Sequence, residues 1–409
     1  MGRRLAVPTL PYTDLKTAIG RVIDGALLIF LIFSALSITV AQAALLLALV
    51  AWALRLLLAE GFRQLRLPLL LPMAGFFLAS VLATLTAVDP YLSGRELRNI
   101  FQPALFYLVV NHVMEEERAT TLTRVLIAVG ALVSGYGMWQ AVTKGVDFRV
   151  HGTLSIYMTF AGVLMLIDTL ALGQALFTTL SRRTLWLVPA LLLLTAALLM
   201  THTRGAWLGL AAGVSLIVWL RKKRWLLTLP LAALAIFLLV PHAVQARIGS
   251  VFDPQDVTAR ERLYMWGSGL MIIRDHPWTG VGMEGLKRVY RDYKHPMAYQ
   301  ERTSHLHNNV LQVAVERGLI GLAVWLWLWA AYVRHAWRIY GSLGPQEGGS
   351  RALVVGSLAG VTGFHVTGFF EYTFGDSEVI MLVYFLMALP FLLKTPAWGL
   401  PTPQGQSGT

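Results

Sequence analysis

Apolar residues along this chain gather into runs separated by short polar or basic breaks, and about 20 consecutive apolar residues make a helix that crosses a bilayer. On that ruler, candidate spans fall near 21–39, 41–58, 68–87, 98–114, 121–142, 153–174, 184–201, 204–220, 225–241, 309–333, 351–371 and 377–394. The pattern predicts an all-α polytopic membrane protein of about 12 transmembrane helices. Two junctions, Ile38 to Ala41 and Thr201 to Gly205, are so short that each predicts an antiparallel hairpin. One long polar connection, from Pro241 to Asn308, interrupts the series. Within it, Leu263, Met265, Trp266, Leu270 and Ile273 recur among polar residues between Arg260 and Arg274. That spacing predicts an amphipathic helix lying on the membrane surface, ended by His276-Pro277. Met283 to Tyr293 predicts a second short helix before His295-Pro296.

Composition supports lipid as the main solvent, since 56% hydrophobic and 14% charged residues leave too little polar cover for a soluble domain. We expect one membrane domain over 1–409, with 242–308 as a large loop inside it that carries the chemistry. The net charge of +12 does not come with a Lys/Arg cluster interleaved with aromatics, so no nucleic-acid partner is expected. It reads as an orientation signal. With the N-terminus in the cytoplasm, Arg63/Arg66, Arg118/Arg124, Arg182/Arg183, the Arg221-Lys222-Lys223-Arg224 run, Arg334/Arg338/Arg351 and Lys394 all fall on the cytoplasmic side. The long loop then lies outside. An even number of spans returns the tail Pro396 to Thr409 to the cytoplasm, where its Pro, Gly and Ser content predicts disorder. Met1 to Asp14 is short and basic without a small-residue cleavage site, and is expected to be retained. Cysteine is absent, which excludes disulfides and thiolate metal sites.

Candidate chemistry gathers on the outer side, where Arg95, Arg98, Lys144, Arg149 and Arg204 defy the charge bias. Arg204 sits in the turn Thr201-His202-Thr203-Arg204-Gly205, and two readings are open: a helix-end anchor whose head reaches the interface, or a guanidinium that holds an anionic head group. Arg260 and Arg262 open the amphipathic helix, and Arg262 shares a face with Trp266 four residues on. Interfacial anchoring and bidentate phosphate binding are again both open. In Ser304-His305-Leu306-His307-Asn308-Asn309, either Asn308 or Asn309 is a good N-cap for the long helix that follows, which puts His307 at its entrance. There the helix dipole favours a neutral imidazole and bound anions, so the place suits proton abstraction from a hydroxyl; a simple capping or hydrogen-bonding histidine is the alternative. His305 and His307 find no third ligand at a recognisable spacing and no Asp-x-Asp pair exists, so neither metal nor other cofactor is expected. Glu316-Arg317, two turns into the span, is expected to face the bundle interior as a structural pair, with Gly318 and Gly321 admitting a neighbouring helix.

These residues resemble a known family. His307-Asn308, nine residues, then Gly318-Leu319-Ile320-Gly321 looks like the H-[N/S/Q]-x9-G-x-x-G signature of the O-antigen ligases, which share a domain with O-antigen polymerases. Arg262-x-x-x-Trp266 followed by Pro277-Trp278-Thr279-Gly280-Val281-Gly282 resembles that domain's R-x-x-x-W and P-x-x-G-x-G run, while Arg204-Gly205 and Arg149-x-x-Gly152 are similar to its earlier arginine motifs. The resemblance implies a glycosyltransferase type C-like membrane fold in the bacterial inner membrane, with its active site facing the periplasm. It implies metal-independent, inverting transfer of O-antigen glycan from undecaprenyl diphosphate to a hydroxyl of lipid A-core. Arg204 and Arg262 would then bind the diphosphate and His307 would deprotonate the acceptor, with His305, Asn308, Arg260 and Arg149 in support. The implied partners are the carrier-linked donor, the lipid A-core acceptor and membrane lipids; no pattern fixes an oligomeric state. An O-antigen polymerase or a related lipid-donor oligosaccharyltransferase is the alternative within the superfamily. A transporter fits less well, because polar residues gather at the outer surface rather than at the midplane.

Overall fold

The computed structural model describes residues 12–393 apart from 63, 64, 180, 183, 251, 252 and 254. Arg63, Arg183, Lys394, the stretch before Tyr12 and the tail Pro396 to Thr409 lie outside the described residues, and with them part of the expected orientation signal. All regular structure among the described residues is helical. The first half comprises α1 (Tyr12–Phe33), α2 (Ile38–Arg55), α3 (Leu70–Leu85), α4 (Pro90–Glu96), α5 (Ala104–His112), α6 (Glu116–Lys144), α7 (Tyr157–Phe177) and α8 (Leu187–Met200). The second comprises α9 (Arg204–Lys222), α10 (Leu229–Leu239), α11 (His242–Gly249), α12 (Val257–Asp275), α13 (Leu286–Tyr293), α14 (Asn309–Ser342), α15 (Gly348–Gly368) and α16 (Ser377–Ala388).

Four helical stretches among the described residues, Ile38–Leu58, Glu116–Lys144, Tyr157–Phe177 and Asn309–Ser342, are long and apolar enough to cross a membrane, and Leu70–Leu85, Leu187–Met200 and Ser377–Leu392 are shorter apolar helices. Large apolar side chains also cover the outside of the bundle: Leu71, Leu192 and Leu239 are 72%, 69% and 84% exposed. Water would not tolerate such a surface, but lipid does, and backbone groups closed within helices satisfy the same solvent. The molecule is a helical membrane protein.

Several expected boundaries move for identifiable reasons. The span expected over 98–114 is broken, because Pro103, which has no N–H, separates a 3-10 turn at Leu97–Phe101 from α5. The first hairpin turns at Ser34 to Ser37 rather than at Ile38 to Ala41; the Ser34 hydroxyl donates to the Leu31 carbonyl at 2.9 Å and ends α1. The second hairpin turns at Thr201 to Thr203, as expected. The apolar run 225–241 starts in a 3-10 segment, Lys223–Thr228, before α10.

At the centre, α15 packs between α7 and α9. The approach of α9 is close because it presents glycine: a Cβ at Gly209 would stand 2.6 Å from the Gly363 carbonyl and 2.2 Å from the Thr367 hydroxyl. Small residues at such a crossing let backbones meet. The consequence for the site is that the start of α9 lies beside the end of α15.

The long connection is a folded lobe. The face of α12 that packs against protein is Glu261, Met265, Ser268, Gly269 and Ile272, while Leu263 and Leu270 of the expected apolar stripe are exposed. Met265 and Ile272 join Val281, Leu286, Tyr290, Leu306 and Val315 in a small core that seats the lobe on α14. The His276-Pro277 stop is where the sequence put it, the second short helix begins at Leu286 rather than Met283 and ends at Tyr293 as expected, and α11 is an additional helix.

The lobe also explains a break in α14. Gly318 adopts φ 65° and ψ −173° inside the helix. The freed backbone groups are met by the lobe: Val281 and Gly282 donate to the Val315 and Glu316 carbonyls at 2.9 and 3.0 Å, and Leu319 donates to the Pro277 carbonyl at 2.7 Å. A kink with its hydrogen bonds replaced in this way carries no orphaned donors. The backbone of Trp278, not a neighbouring helix, therefore occupies the space beside Gly318, and Gly321 leaves room for the Arg317 side chain of its own helix. Glu316 and Arg317 precede the kink and pack under the lobe. They are buried and paired with each other, as expected.

A Cβ at Gly318 would meet the Trp278 carbonyl oxygen at 2.1 Å in a left-handed backbone, whereas one at Gly25 would meet nothing within 4 Å. We expect Gly318→Ala to lower the unfolding free energy in mixed micelles by about 2 kcal/mol or more, and Gly25→Ala to leave it unchanged or raised.

Candidate active site

Three chain segments meet where the lobe joins the bundle: the start of α9, the start of α12, and the start of α14 with the loop after α15. Asp256 caps α12 by accepting from the Ala259 N–H at 2.8 Å. That cap also takes Arg204: Nη2 donates to Asp256 at 3.0 Å, and Nη1 donates to the Ser250 carbonyl and hydroxyl at 2.9 and 3.0 Å. The guanidinium of Arg204 thus turns inward, with 11% of its side chain exposed, and does not anchor to lipid. Arg247, at the end of α11, reaches the other Asp256 oxygen at 3.7 Å.

Two turns along α12, Arg262 donates from Nη2 to Oε1 of Glu371 at 2.5 Å, and the second Glu371 oxygen lies 3.0 Å from Nδ1 of His307. Asn308 caps α14, accepting from the Leu311 N–H at 3.0 Å and donating to the Phe369 carbonyl at 3.2 Å. The same cap therefore fixes His307 and ties it to the loop that carries Glu371. His307 itself takes φ 50°, a left-handed conformation that turns its ring toward that loop. Trp266 donates its indole N–H to the Leu306 carbonyl at 3.0 Å, so it holds the histidine segment. Gly205 completes the ring of elements: a Cβ there would lie 3.6 Å from Glu371 Cγ. Arg204, Arg262 and His307 are thus brought to one site around two carboxylates.

The supporting residues divide. Arg149 donates to the Tyr157 hydroxyl at 2.5 Å and stacks over its ring at 4.8 Å. Burial and then the positive charges of Arg204, Arg149 and Arg262 hold Arg247 below its ordinary range, so the four guanidinium groups share one neighbourhood. His305 packs edge-on against His307 with centroids 4.3 Å apart, and burial followed by the neighbouring His307 pushes it down to about 4. It is neutral at neutral pH. Arg260 is exposed. Burial pushes the Glu371 carboxyl up, but the hydrogen bond to His307 and the charge of Arg262 outweigh it and leave Glu371 below its ordinary value, ionised. For Asp256 burial is likewise opposed and outweighed, by Arg204, the Ala259 N–H and Arg247. The site gathers more guanidinium groups than the carboxylates they pair with, in a partly dry setting, which favours a multiply charged anion.

Among the described residues, no three His, Asp or Glu side chains converge as metal ligands. A second polar place lies nearby. Glu316 and Arg317 line a cavity of about 400 Å³ between α3, α5, α14 and α16, with Glu284, Tyr372 and Gln102 at the lobe end and Phe76, Met73 and Leu70 deeper.

Fold and site together define a helical membrane protein with a half-buried, arginine-rich polar centre under a folded lobe. Residues 189–326 match the O-antigen ligase family, Wzy_C, a segment that holds Arg204, Arg262 and His307. The resemblance read from those motifs is borne out there. The chain is also 30% identical over 160 residues to a protein named O-antigen ligase from Pseudomonas aeruginosa, an alignment over 36% of this chain and 34% of that one. It thus spans about a third of the curated relative's length. Sequence reasoning missed Glu371, Asp256 and Arg247. Glu371 lay at the edge of an expected apolar span, and only a lone acidic residue among aromatics, Phe369-Phe370-Glu371-Tyr372, signalled it.

Because Glu371 is held below its ordinary 4.5, its stabilising share is present above that value and lost as the pH falls through its lower folded value. We expect the melting temperature in detergent to drop below about pH 4.5, and Glu371→Gln to show a smaller acid-side drop; equal drops in both proteins would contradict this.

Proposed function

We propose that this protein is an O-antigen ligase: a metal-independent, inverting glycosyltransferase that moves a glycan from undecaprenyl diphosphate to a hydroxyl of lipid A-core. The observation that carries the reading is the meeting of Arg204, Arg262 and His307 at one half-buried centre, all three inside the segment that matches the ligase family. A diphosphate leaving group needs fixed positive charge where its own charge grows, and preorganised guanidinium groups supply it without reorganisation. His307 stands at the N-terminus of α14 with 19% of its side chain exposed, and Nε2 is the ring nitrogen left for a hydroxyl. The acceptor oxygen attacks the anomeric carbon as its proton passes to His307 Nε2, and the bond to the diphosphate breaks with its electron pair leaving on phosphate. Single displacement inverts the anomeric centre. Arg149 and Arg247 add to the field, Asn308 sets the backbone of His307, and neutral His305 packs against it.

On this reading the bundle has about 12 spans in the bacterial inner membrane, both termini are cytoplasmic, and the lobe faces the periplasm. The retained basic residues on the opposite end, Arg118, Arg124 and the Arg221–Arg224 run among them, fit that orientation. A polymerase is the alternative within the superfamily, and product analysis separates the two: glycan joined to lipid A-core marks a ligase, and longer glycan on the carrier marks a polymerase.

Purified protein, carrier-linked glycan and lipid A-core make the test. We expect His307→Ala to cut transfer at least about 100-fold with folding intact. Arg204→Ala and Arg262→Ala are each expected to weaken donor binding by about 10-fold or more, and a chelator to leave the rate unchanged. Undiminished transfer by His307→Ala removes the base, and unchanged donor affinity in both arginine variants reduces them to structural residues.

A further inference from the structure

Glu371 lies outside the segment that matches the ligase family, far along the chain from both of its partners. Its carboxylate is nevertheless the point through which Arg262 and His307 are joined. One oxygen accepts from Arg262 Nη2 at 2.5 Å and the other faces His307 Nδ1 at 3.0 Å. An ionised carboxylate can only accept, so Nδ1 carries the proton, and the neutral ring then has its lone pair on Nε2. That is the tautomer a base needs if Nε2 is to meet a substrate hydroxyl. On the other side, engaging Nη2 leaves Arg262 Nε buried with no hydrogen-bond partner, a donor that a phosphate oxygen would satisfy.

Glu371 is itself held from several directions. Its N–H donates to the Thr367 carbonyl at 3.0 Å, the Phe369 carbonyl before it accepts from the Asn308 cap at 3.2 Å, and Gly205 of α9 abuts its side chain. Its side chain is 8% exposed. A carboxylate fixed this firmly costs little to hold in place when charge moves on its neighbours. The other titratable groups around the two histidines are Arg262, Lys287 and Tyr372, whose ring is 6.0 Å from that of His305.

We propose that Glu371 is a positioning residue that sets both halves of the reaction: it locks His307 with Nε2 free to accept a proton, and it holds Arg262 so that its unpartnered Nε–H is left for the departing diphosphate. The inference rests on the transferase reading above. When the acceptor proton reaches Nε2, the resulting imidazolium forms against the Glu371 carboxylate. The electron pair of the broken glycosidic bond stays on the diphosphate, opposite Arg204 and Arg262.

The test uses the full chain in lipid nanodiscs with carrier-linked glycan and lipid A-core, comparing wild type, Glu371→Gln, Glu371→Asp, His307→Ala and the double variant His307→Ala/Glu371→Gln. Expected for Glu371→Gln is a kcat lower by about 100-fold, with donor KM within about threefold because Arg262 keeps its charge. Glu371→Asp should recover part of the lost kcat. In the His307→Ala background the second change should cost at most about threefold, because only its hold on Arg262 remains to be lost. A wild-type kcat in Glu371→Gln, or losses that simply multiply in the double variant, overturns the proposal. Should Glu371→Gln fail to fold, Glu371→Asp decides, and an unchanged kcat there overturns it. A second arm needs no substrate: carbethoxylation of His307 by diethyl pyrocarbonate, followed by peptide mass spectrometry, reads Nε2 nucleophilicity. It should be slower in Glu371→Gln by about fivefold or more, and equal rates overturn the proposal. Wild-type protein that modifies normally but transfers nothing would instead refute the transferase reading and leave the histidine–carboxylate pairing to this arm.

Discussion

Four guanidinium groups gathered beneath a lobe at the end of a membrane bundle repel one another, and burial makes that repulsion costly. The arrangement persists because Asp256 and Glu371 are built between them. Asp256 takes Arg204 and lies close to Arg247; Glu371 takes Arg262 and His307. Both carboxylates sit on backbone that could not be elsewhere, one capping α12 and the other held by the last turn of α15 and the cap of α14. The pairs neutralise part of the charge and leave donors such as Arg262 Nε without partners, a state that suits an incoming anion.

Two backbone devices bring these pieces together. Glycine in α9 lets it press against α15, which carries Arg204 and Gly205 to the side of Glu371. The kink at Gly318 lets the Pro277 to Gly282 stretch replace helical hydrogen bonds, which fixes the lobe on α14 and so fixes α12 relative to His307. Neither device touches the reacting groups, yet each sets a distance that chemistry would depend on.

Much of this was legible in the chain. Asn308 as a cap, the stop at His276-Pro277 and the hairpin at Thr201 to Thr203 follow from local rules about capping and proline, while Arg204, Arg262 and His307 stand out together only through the resemblance to the family's motifs. What was not legible depended on contacts between distant segments. The apolar stripe of α12 divides: Met265 joins Ile272 in the core of the lobe while Leu263 and Leu270 stay exposed, a division that the position of α14 decides. Glu371 looked like the polar end of a span, since nothing in its own neighbourhood announces that an arginine and a histidine, 109 and 64 residues away, require a shared counter-charge. Pro103 could have been read as a break and was passed over in a run otherwise apolar enough to span.

The central claim is that a lipid-linked diphosphate and an acceptor hydroxyl meet at this one centre. Its most direct test is a cryo-electron microscopy structure of the protein in nanodiscs with a non-transferable undecaprenyl diphosphate sugar. The account predicts diphosphate density within hydrogen-bond distance of Arg204 and Arg262, with the anomeric carbon facing His307. Density for the diphosphate in the Arg317 cavity, with the arginine centre empty, would contradict it.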